Sequence, residues 1–154
     1  MKILFVCSSN ICRSPYCEYV FKKMIANDEI LSKKIDKVSS AAVFNRSFHI
    51  HSKAILALKR EGFSEEEILK HKPRYIFGAY KDFKQADLII GMNNFNKYFV
   101  PCWFRKKYKS LSEVAIGVYK DIPDPFLMKN INDYYSVMDI IKDYLEKFAD
   151  NLKK

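Results

Sequence analysis

Two patterns of hydrophobic and polar positions alternate along the chain, and they predict strands separated by helices. A continuous apolar run over residues 2–7 is typical of a strand buried on both faces of a parallel sheet. Similar runs predict further strands at 37–43, 86–92 and 112–118. The pattern therefore predicts one α/β domain over residues 1–154, with a four-stranded, mostly parallel, twisted sheet and helices on both faces.

Helical spacing follows each of these apolar runs. The first helix is predicted from apolar residues three or four positions apart, namely Cys17, Val20, Phe21, Met24 and Ile25. Ser14 is its predicted N-cap, and Pro15 lies in its first turn. Later helices are predicted from Ser52 as an N-cap and from a capping box of Ser64 and Glu67. A long amphipathic helix is predicted at the C-terminus.

The charge of the chain is strongly basic, with 27 Lys and Arg against 18 Asp and Glu, a net charge of +9. These cations are spread over separate short groups, which indicates a solvated surface and predicts no nucleic-acid partner. No segment approaches the ~18 apolar residues of a membrane span, so no membrane association is predicted. The first seven residues are too short and too quickly polar for a secretory signal, which predicts a cytoplasmic protein.

Cysteine usage adds a candidate chemistry. Three of the four cysteines, Cys7, Cys12 and Cys17, lie within eleven residues of one another. This spacing does not resemble the disulfide framework of a small secreted domain. It favours a catalytic or redox role for at least one thiol.

The turn from Cys7 to Arg13 has the pattern of an anion cradle, because it connects a buried strand to the start of a helix. Arg13 is expected to close the cradle with a bidentate contact to two phosphate oxygens. The same positive field favours the thiolate form of Cys7, which is the nucleophilic form, and the Ser14 hydroxyl is expected to donate to it. The predicted phosphate-binding residues are Ser8, Ser9, Asn10, Ile11, Cys12, Arg13 and Ser14.

Attack of the thiolate on a phosphate ester also requires an acid, which protonates the departing oxygen. The sequence DIPDPF at 121–126 follows the last predicted strand, which places it at the same edge of the sheet as Cys7. Asp124 is the candidate acid because Pro123 and Pro125 restrict its backbone on both sides. Asp121 is the alternative.

Together, VCSSNICRSP near the N-terminus and IPDPF near residue 124 resemble the low-molecular-weight protein tyrosine phosphatase family. The resemblance continues through VSSAA, HKPR and ADLIIGMNNFN in matching order along the whole chain. It implies hydrolysis of phosphotyrosine and aryl phosphate monoesters through a phosphocysteine intermediate. Cys7 would be the nucleophile, Arg13 would stabilise the transition state, and Asp124 would act first as acid and then as base. It implies no metal and no cofactor, and a monomer whose partners are tyrosine-phosphorylated proteins or peptides.

The resemblance also implies a hydrogen-bond network behind the loop, formed by Asn10, Ser14, Ser40 and His71. Asn10 has an independent reason, since asparagine tolerates the left-handed backbone that a tight cradle requires. His71 has an alternative role at a helix end, where it would satisfy terminal carbonyl groups. Cys12 takes the place of the family's second loop cysteine, which would form a reversible disulfide with Cys7.

The chain departs from the family pattern near the substrate. Ser8 and Ser9 stand where an apolar residue and glycine are usual, and Asn93 stands where aspartate is common. Phe126 replaces a tyrosine and still offers an aromatic wall for the substrate ring. The candidates for the opposite wall are Phe44 and Phe48.

Three other functions share part of this pattern. An arsenate reductase on the same fold would need a further cysteine pair where Asn93 and Val100 stand. A phosphocysteine sugar-transport carrier would need neither Arg13 nor Asp124. A nucleic-acid-binding module is disfavoured by the scattered charge.

Overall fold

The fold is built on one parallel sheet, and the computed structural model describes all 154 residues. Four strands pair in the order β2-β1-β3-β4, and every pairing is parallel. The strands are β1 (Lys2–Cys7), β2 (Lys37–Ala42), β3 (Leu88–Gly91) and β4 (Tyr108–Ser110). The predicted four-stranded parallel sheet is confirmed, and Cys7 lies at the carboxyl end of a central strand, opposite Ala42.

Eight α-helices connect and cover these strands, and none is long and apolar enough to cross a membrane. They are α1 (Arg13–Ala26), α2 (Glu29–Lys34), α3 (Ser52–Arg60), α4 (Glu65–Leu69), α5 (Tyr80–Gln85), α6 (Asn94–Phe99), α7 (Leu111–Ile116) and α8 (Ile131–Lys153). Short 3₁₀ segments cover Cys102–Lys107 and Pro125–Leu127. The predicted capping box of Ser64 and Glu67 forms at the start of α4, and the long C-terminal helix is confirmed as α8.

Both faces of the sheet are buried, as the apolar run of β1 predicts. Ile3, Phe5 and Cys7 pack into the larger core, together with residues of α1, α3, α7 and α8. Leu4 and Val6 alternate with them and pack into a smaller core that contains residues of α5 and of the first 3₁₀ segment. This alternation confirms helical layers on both faces and fixes which side chains of β1 point to each layer.

The fourth strand differs from its prediction. It is formed by residues 108–110, whereas most of the predicted strand at 112–118 is the helix α7. The cause is a capping box: the Ser110 hydroxyl accepts from the backbone N–H of Glu113, and the Glu113 carboxylate accepts from the backbone N–H of Ser110 at 2.7 Å. Gly117, with φ of 75°, ends the helix.

Two predicted N-caps are also corrected. The helix α1 begins at Arg13, one residue before Ser14, and its N-cap Cys12 makes no side-chain capping bond. The Ser14 hydroxyl is instead bonded within the adjoining turn, as described below. Helix α3 is capped by His51, whose Nδ1 accepts from the backbone N–H of the second helical residue, and Ser52 is its first residue.

Gly91 at the end of β3 is required by a close approach of Tyr108. A Cβ at this position would lie 2.5 Å from two carbons of the Tyr108 ring and still closer to its hydroxyl. The ring cannot move away easily, because it is buried and its hydroxyl donates to the carbonyl of Asn93 at 2.6 Å. Gly91→Ala is therefore expected to lower the free energy of unfolding by about 1–3 kcal/mol in urea denaturation.

Gly78→Ala is the matched control for this change. Its Cβ would meet its nearest neighbour at 3.6 Å, an ordinary contact, and its φ is not positive. We expect its stability to stay within about 0.5 kcal/mol of the wild type. Equal stability of the two variants would contradict the steric role of Tyr108.

Candidate active site

The turn between β1 and α1 is held from its outer side. The carbonyl of Ser8 accepts from the backbone N–H groups of Phe44 and Asn45, at 3.0 and 2.8 Å. The carbonyl of Ile11 accepts from the N–H of His51 at 3.0 Å. The backbone N–H groups of residues 8–12 have no acceptor among the protein's own backbone atoms. A row of free donors at the positive end of a helix is the arrangement that binds an anion.

Asn10 gives the turn its shape. Asn10 has a φ of 57° and is the one residue other than glycine with a positive φ. Its predicted left-handed backbone is therefore confirmed. Its side-chain amide donates to the hydroxyls of Ser14 and Ser40, both at 2.9 Å, and its side-chain oxygen accepts from the N–H of Arg74 at 3.0 Å. Its backbone carbonyl lies 2.9 Å from Nε2 of His71. The structure thus brings together all four residues of the predicted network.

His71 contacts the turn and does not serve a helix end. Burial lowers the pKa of His71 below its usual value, so the ring is neutral near pH 7. Its Nε2–H can then donate to the Asn10 carbonyl. The Ser40 hydroxyl in turn donates to the Glu18 carboxylate, which continues the network to the surface of α1.

The sequence patterns do not predict a role for Arg74, although it lies in the HKPR segment. Its guanidinium donates to the Asp82 carboxylate at 2.6 Å and to the Ser40 carbonyl at 3.0 Å. These contacts fix the backbone that supplies an N–H group to Asn10. The sequence signal was its position three residues after His71, in a segment stiffened by Pro73.

Cys7 lies at the base of the turn, with its sulfur 3.0 Å from the Ser14 hydroxyl. The Ser14 oxygen already accepts from Asn10, so its single hydrogen is free to point to the sulfur. This is the contact expected from the sequence. Ser14 and Asn10 are both fully buried behind the turn and do not line the cleft, unlike the other predicted phosphate-binding residues.

Arg13 is 2% exposed, and two of its three nitrogens have partners. Nη1 donates to the carbonyl of Ile122 at 2.9 Å, and Nη2 lies 3.2 Å from Oδ2 of Asp124. The buried Nε has no partner within the protein. A buried guanidinium nitrogen without an acceptor, beside a row of free N–H donors, points to an anion as its ligand.

Asp124 reaches the cleft although no strand directly precedes it. The N–H of Ile122 bonds to the carbonyl of Met92 at 3.2 Å, which ties the segment to the end of β3. The second oxygen of Asp124 accepts from the N–H of Phe126 at 3.1 Å, and this bond orients the carboxylate. The alternative, Asp121, is exposed and does not line the cleft.

The cleft above the turn has a volume of about 490 Å³. It is lined by Cys7, Ser8, Ser9, Ile11, Cys12, Arg13, Phe44, Asn45, Arg46, Ser47, Phe95, Asp124 and Phe126. Two of the three predicted wall residues, Phe44 and Phe126, are among them. Phe48 is not, because it points into solvent beneath the guanidinium of Arg46. Phe95, at the start of α6, forms a further wall that no sequence pattern predicts.

The two serines that depart from the family pattern accept hydrogen bonds from neighbouring asparagines. The Ser8 hydroxyl accepts from the amide of Asn96 at 3.4 Å, and the Ser9 hydroxyl accepts from the amide of Asn45 at 3.2 Å. Ser9 does not have a positive φ, so it adopts the turn without the strain that a side chain meets there.

All four cysteines are free thiols. Burial raises the pKa of Cys12 to about 12, so it is protonated at neutral pH. Cys17 is fully buried in the larger core, and burial raises its pKa as well. Cys102 is exposed and lies outside the cleft.

Comparison with known proteins decides the family. The model of the low molecular weight phosphotyrosine protein phosphatases matches residues 2–154. The chain belongs to this family. It is 32% identical to a protein-arginine-phosphatase of Bacillus subtilis, over 100% of this chain and 98% of that protein. It is 28% identical to a low molecular weight phosphotyrosine protein phosphatase of Schizosaccharomyces pombe, with 97% of each chain covered.

Solved structures of this family have the same fold. A mutant of YwlE from Bacillus subtilis superposes with a TM-score of 0.82 at 28% identity, covering 100% of this chain and 99% of that one. The low molecular weight protein tyrosine phosphatase of T. tengcongensis gives 0.79 at 27% identity, covering 97% and 98%. The chain is therefore a phosphatase, and its named relatives differ in the phosphorylated residue on which they act.

Asn10 offers a test of how far the turn depends on its network. The glycine of Asn10→Gly adopts φ of 57° without strain, but the substitution removes the side-chain amide and its three hydrogen bonds. We expect kcat for an aryl phosphate to fall on the order of 10²-fold, because small displacements of reacting groups cost about that much. Asn10→Ala adds about 1–2 kcal/mol of left-handed backbone strain, measured as a further loss of stability.

Ser39→Ala is the control, since Ser39 is a buried neighbour of Ser40 on β2 and has no part in the network. Its kcat is expected to stay near the wild-type value. Wild-type turnover by Asn10→Gly would show that the backbone alone shapes the turn.

Proposed function

We propose that this phosphatase hydrolyses phosphotyrosine monoesters through a phosphocysteine intermediate. The observation that carries the proposal is the placement of Asp124 against Arg13, 3.2 Å apart, at the mouth of the turn that holds Cys7 at its base. Nucleophile, anion-binding guanidinium and acid thus face one cleft. Cys7 and Arg13 belong to one turn, whereas Asp124 is far from both along the chain, so the fold brings the acid to the other two groups.

In the first step the Cys7 thiolate attacks phosphorus, and the bond to the tyrosyl oxygen breaks. The free N–H groups of residues 8–12 and the guanidinium of Arg13 stabilise the charge on the equatorial oxygens. Asp124, in its protonated form, gives its proton to the departing tyrosyl oxygen. The Arg13 nitrogens that now face Asp124 or have no partner become donors to the phosphate.

In the second step the ionised Asp124 takes a proton from a water molecule as this water attacks the phosphocysteine. The sulfur–phosphorus bond breaks, which releases inorganic phosphate and returns Cys7 as a thiolate. The Ser14 hydroxyl, 3.0 Å from the sulfur, stabilises the thiolate both as nucleophile and as leaving group.

The lining of the cleft favours tyrosine over arginine as the phosphorylated residue. Ile11, Phe44 and Phe126 present apolar and aromatic surface to the entering side chain, which suits a phenyl ring. A phosphoarginine side chain instead carries N–H groups that need acceptors when they are buried. Asp124 is the one carboxylate of the cleft, and it already faces Arg13.

The wider expectations belong to the same proposal. The partners are tyrosine-phosphorylated proteins or peptides, met by a monomer in the cytoplasm. Cys12 lines the same cleft as Cys7 and is the candidate partner for a reversible disulfide. An oxidant such as peroxide would accept the two electrons that the thiols lose, and a reducing thiol would restore them.

Matched peptides carrying phosphotyrosine or phosphoarginine at one position test the substrate class. We expect kcat/KM to favour phosphotyrosine on the order of 10²-fold, since the N–H groups of phosphoarginine would meet only neutral oxygens in the cleft while the one carboxylate of the cleft faces Arg13. Cys7→Ser is expected to abolish turnover of both peptides. Equal or faster hydrolysis of the phosphoarginine peptide would refute phosphotyrosine specificity.

Asp124→Asn tests the proposed acid. For phosphotyrosine we expect kcat to fall about 10²- to 10⁴-fold, the usual contribution of a positioned acid. The loss is expected to be much smaller for p-nitrophenyl phosphate, because a stable phenolate leaves without a proton. Asp121→Asn is the matched control and is expected to act like the wild type, since it lies outside the cleft. Equal losses with both substrates would remove Asp124 as the acid.

A further inference from the structure

Three phenylalanines form a cluster at the rim of the cleft. Phe44 follows β2, while Phe95 and Phe99 lie on α6. The ring centroids are 5.2 Å apart for Phe44 and Phe95, 4.7 Å for Phe44 and Phe99, and 4.8 Å for Phe95 and Phe99. We call these three residues the phenylalanine patch. Phe44 and Phe95 also line the cleft, whereas Phe99 contacts both of them from outside it.

The phenylalanine patch is not part of the core. Its three side chains remain 45%, 46% and 39% exposed in the order of the sequence. Neither core cluster includes any of them. Rings that contact one another and still leave this much apolar area in water form the kind of surface that binds a partner.

The position of the bound phosphate determines which part of the substrate contacts the phenylalanine patch. A substrate phosphate bound between Cys7 and Arg13 lies at the base of the cleft, and the tyrosine ring lies between the walls of the cleft. The backbone of the substrate must then cross the rim. A residue directly next to the phosphotyrosine therefore comes within reach of Phe95 and Phe99.

Charge at the rim restricts the neighbouring residue further. Arg13, Arg46 and Asp124 are the charged residues of the cleft, and the first and last are occupied by the chemistry. Arg46 remains at the mouth, where its guanidinium lies 5.8 Å from the ring centroid of Phe48. A basic substrate residue would meet this cation as well as the net charge of +9.

We propose that the phenylalanine patch of Phe44, Phe95 and Phe99 is a docking subsite for an apolar side chain adjacent to phosphotyrosine in the substrate. The patch selects among phosphotyrosine sites by this neighbour and disfavours a basic one. The proposal rests on the proposed function, because it requires phosphotyrosine in the cleft.

The test uses phosphotyrosine peptides that differ only in the residue before or after the phosphotyrosine, which is Leu, Ala or Lys. For the full chain we expect kcat/KM to be about tenfold higher with Leu than with Ala on at least one side, mainly through KM. Lys is expected to fall below Ala. p-Nitrophenyl phosphate, which has no neighbouring residues, reports separately whether the catalytic turn is intact.

Phe99→Ala is the decisive variant, since it removes a ring that belongs to the phenylalanine patch but does not line the cleft. We expect it to reduce the Leu-to-Ala ratio to within about twofold of one, and Phe99→Leu to restore most of the preference. Tyr98→Ala is the matched control: Tyr98 lies on the same helix, is 71% exposed and makes no ring contact with the phenylalanine patch. Its ratio is expected to equal that of the wild type.

The outcomes separate the two proposals. A Leu-to-Ala ratio near one in the wild type, with phosphotyrosine hydrolysis intact, overturns the docking subsite and leaves the proposed function standing. The same follows if Phe99→Ala keeps the ratio, or if Tyr98→Ala loses it equally. Absence of phosphotyrosine hydrolysis with any peptide overturns the proposed function and the subsite together. Where Phe99→Ala fails to fold, a wild-type Leu-to-Ala ratio near one still overturns the subsite, and Phe99→Leu compared with Tyr98→Ala still tests the role of the ring.

Discussion

The active site depends on the left-handed turn at Asn10. One residue with φ of 57° reverses the chain between β1 and α1 and leaves a row of N–H groups free to face an anion. Left-handed backbone costs about 1–2 kcal/mol, and each hydrogen bond of the Asn10 side chain returns about 1 kcal/mol. Three such bonds, with one more at its carbonyl, make this conformation stable.

The partners of the turn come from distant parts of the chain. Ser40 lies on β2, His71 and Arg74 lie after α4, and Ile122 holds Arg13 from the other side. The turn is therefore complete only when the sheet and these segments are assembled. The position of Asp124, anion binding and the packing of β2 against β1 therefore depend on one another. A change in any one of them is expected to alter the other two.

Local patterns predicted the parts of this site that are local. The strand β1, the turn and Asn10 follow from patterns of adjacent residues. Asp124 was placed at the correct edge of the sheet by a predicted strand at 112–118, most of which is the helix α7. The strand predicted at 112–118 was wrong because a capping box at Ser110 starts a helix, and this outweighs the short apolar run. The wall formed by Phe95, and the solvent position of Phe48, depend on how α6 and the segment after β2 meet. No periodic pattern in the sequence predicts which side chains of two distant segments come into contact.

Ser9 has a consequence for the cost of folding the turn. Where the family usually has glycine, this chain has a residue whose backbone is less free before folding, and its native φ is not positive. Replacing glycine at such a position reduces the conformational entropy of the unfolded chain, typically by about 0.4–1 kcal/mol in free energy. The contact of Ser9 with Asn45 then adds a bond that glycine cannot make. The anion cradle of this phosphatase is thus ordered at a lower entropic cost, before any substrate arrives.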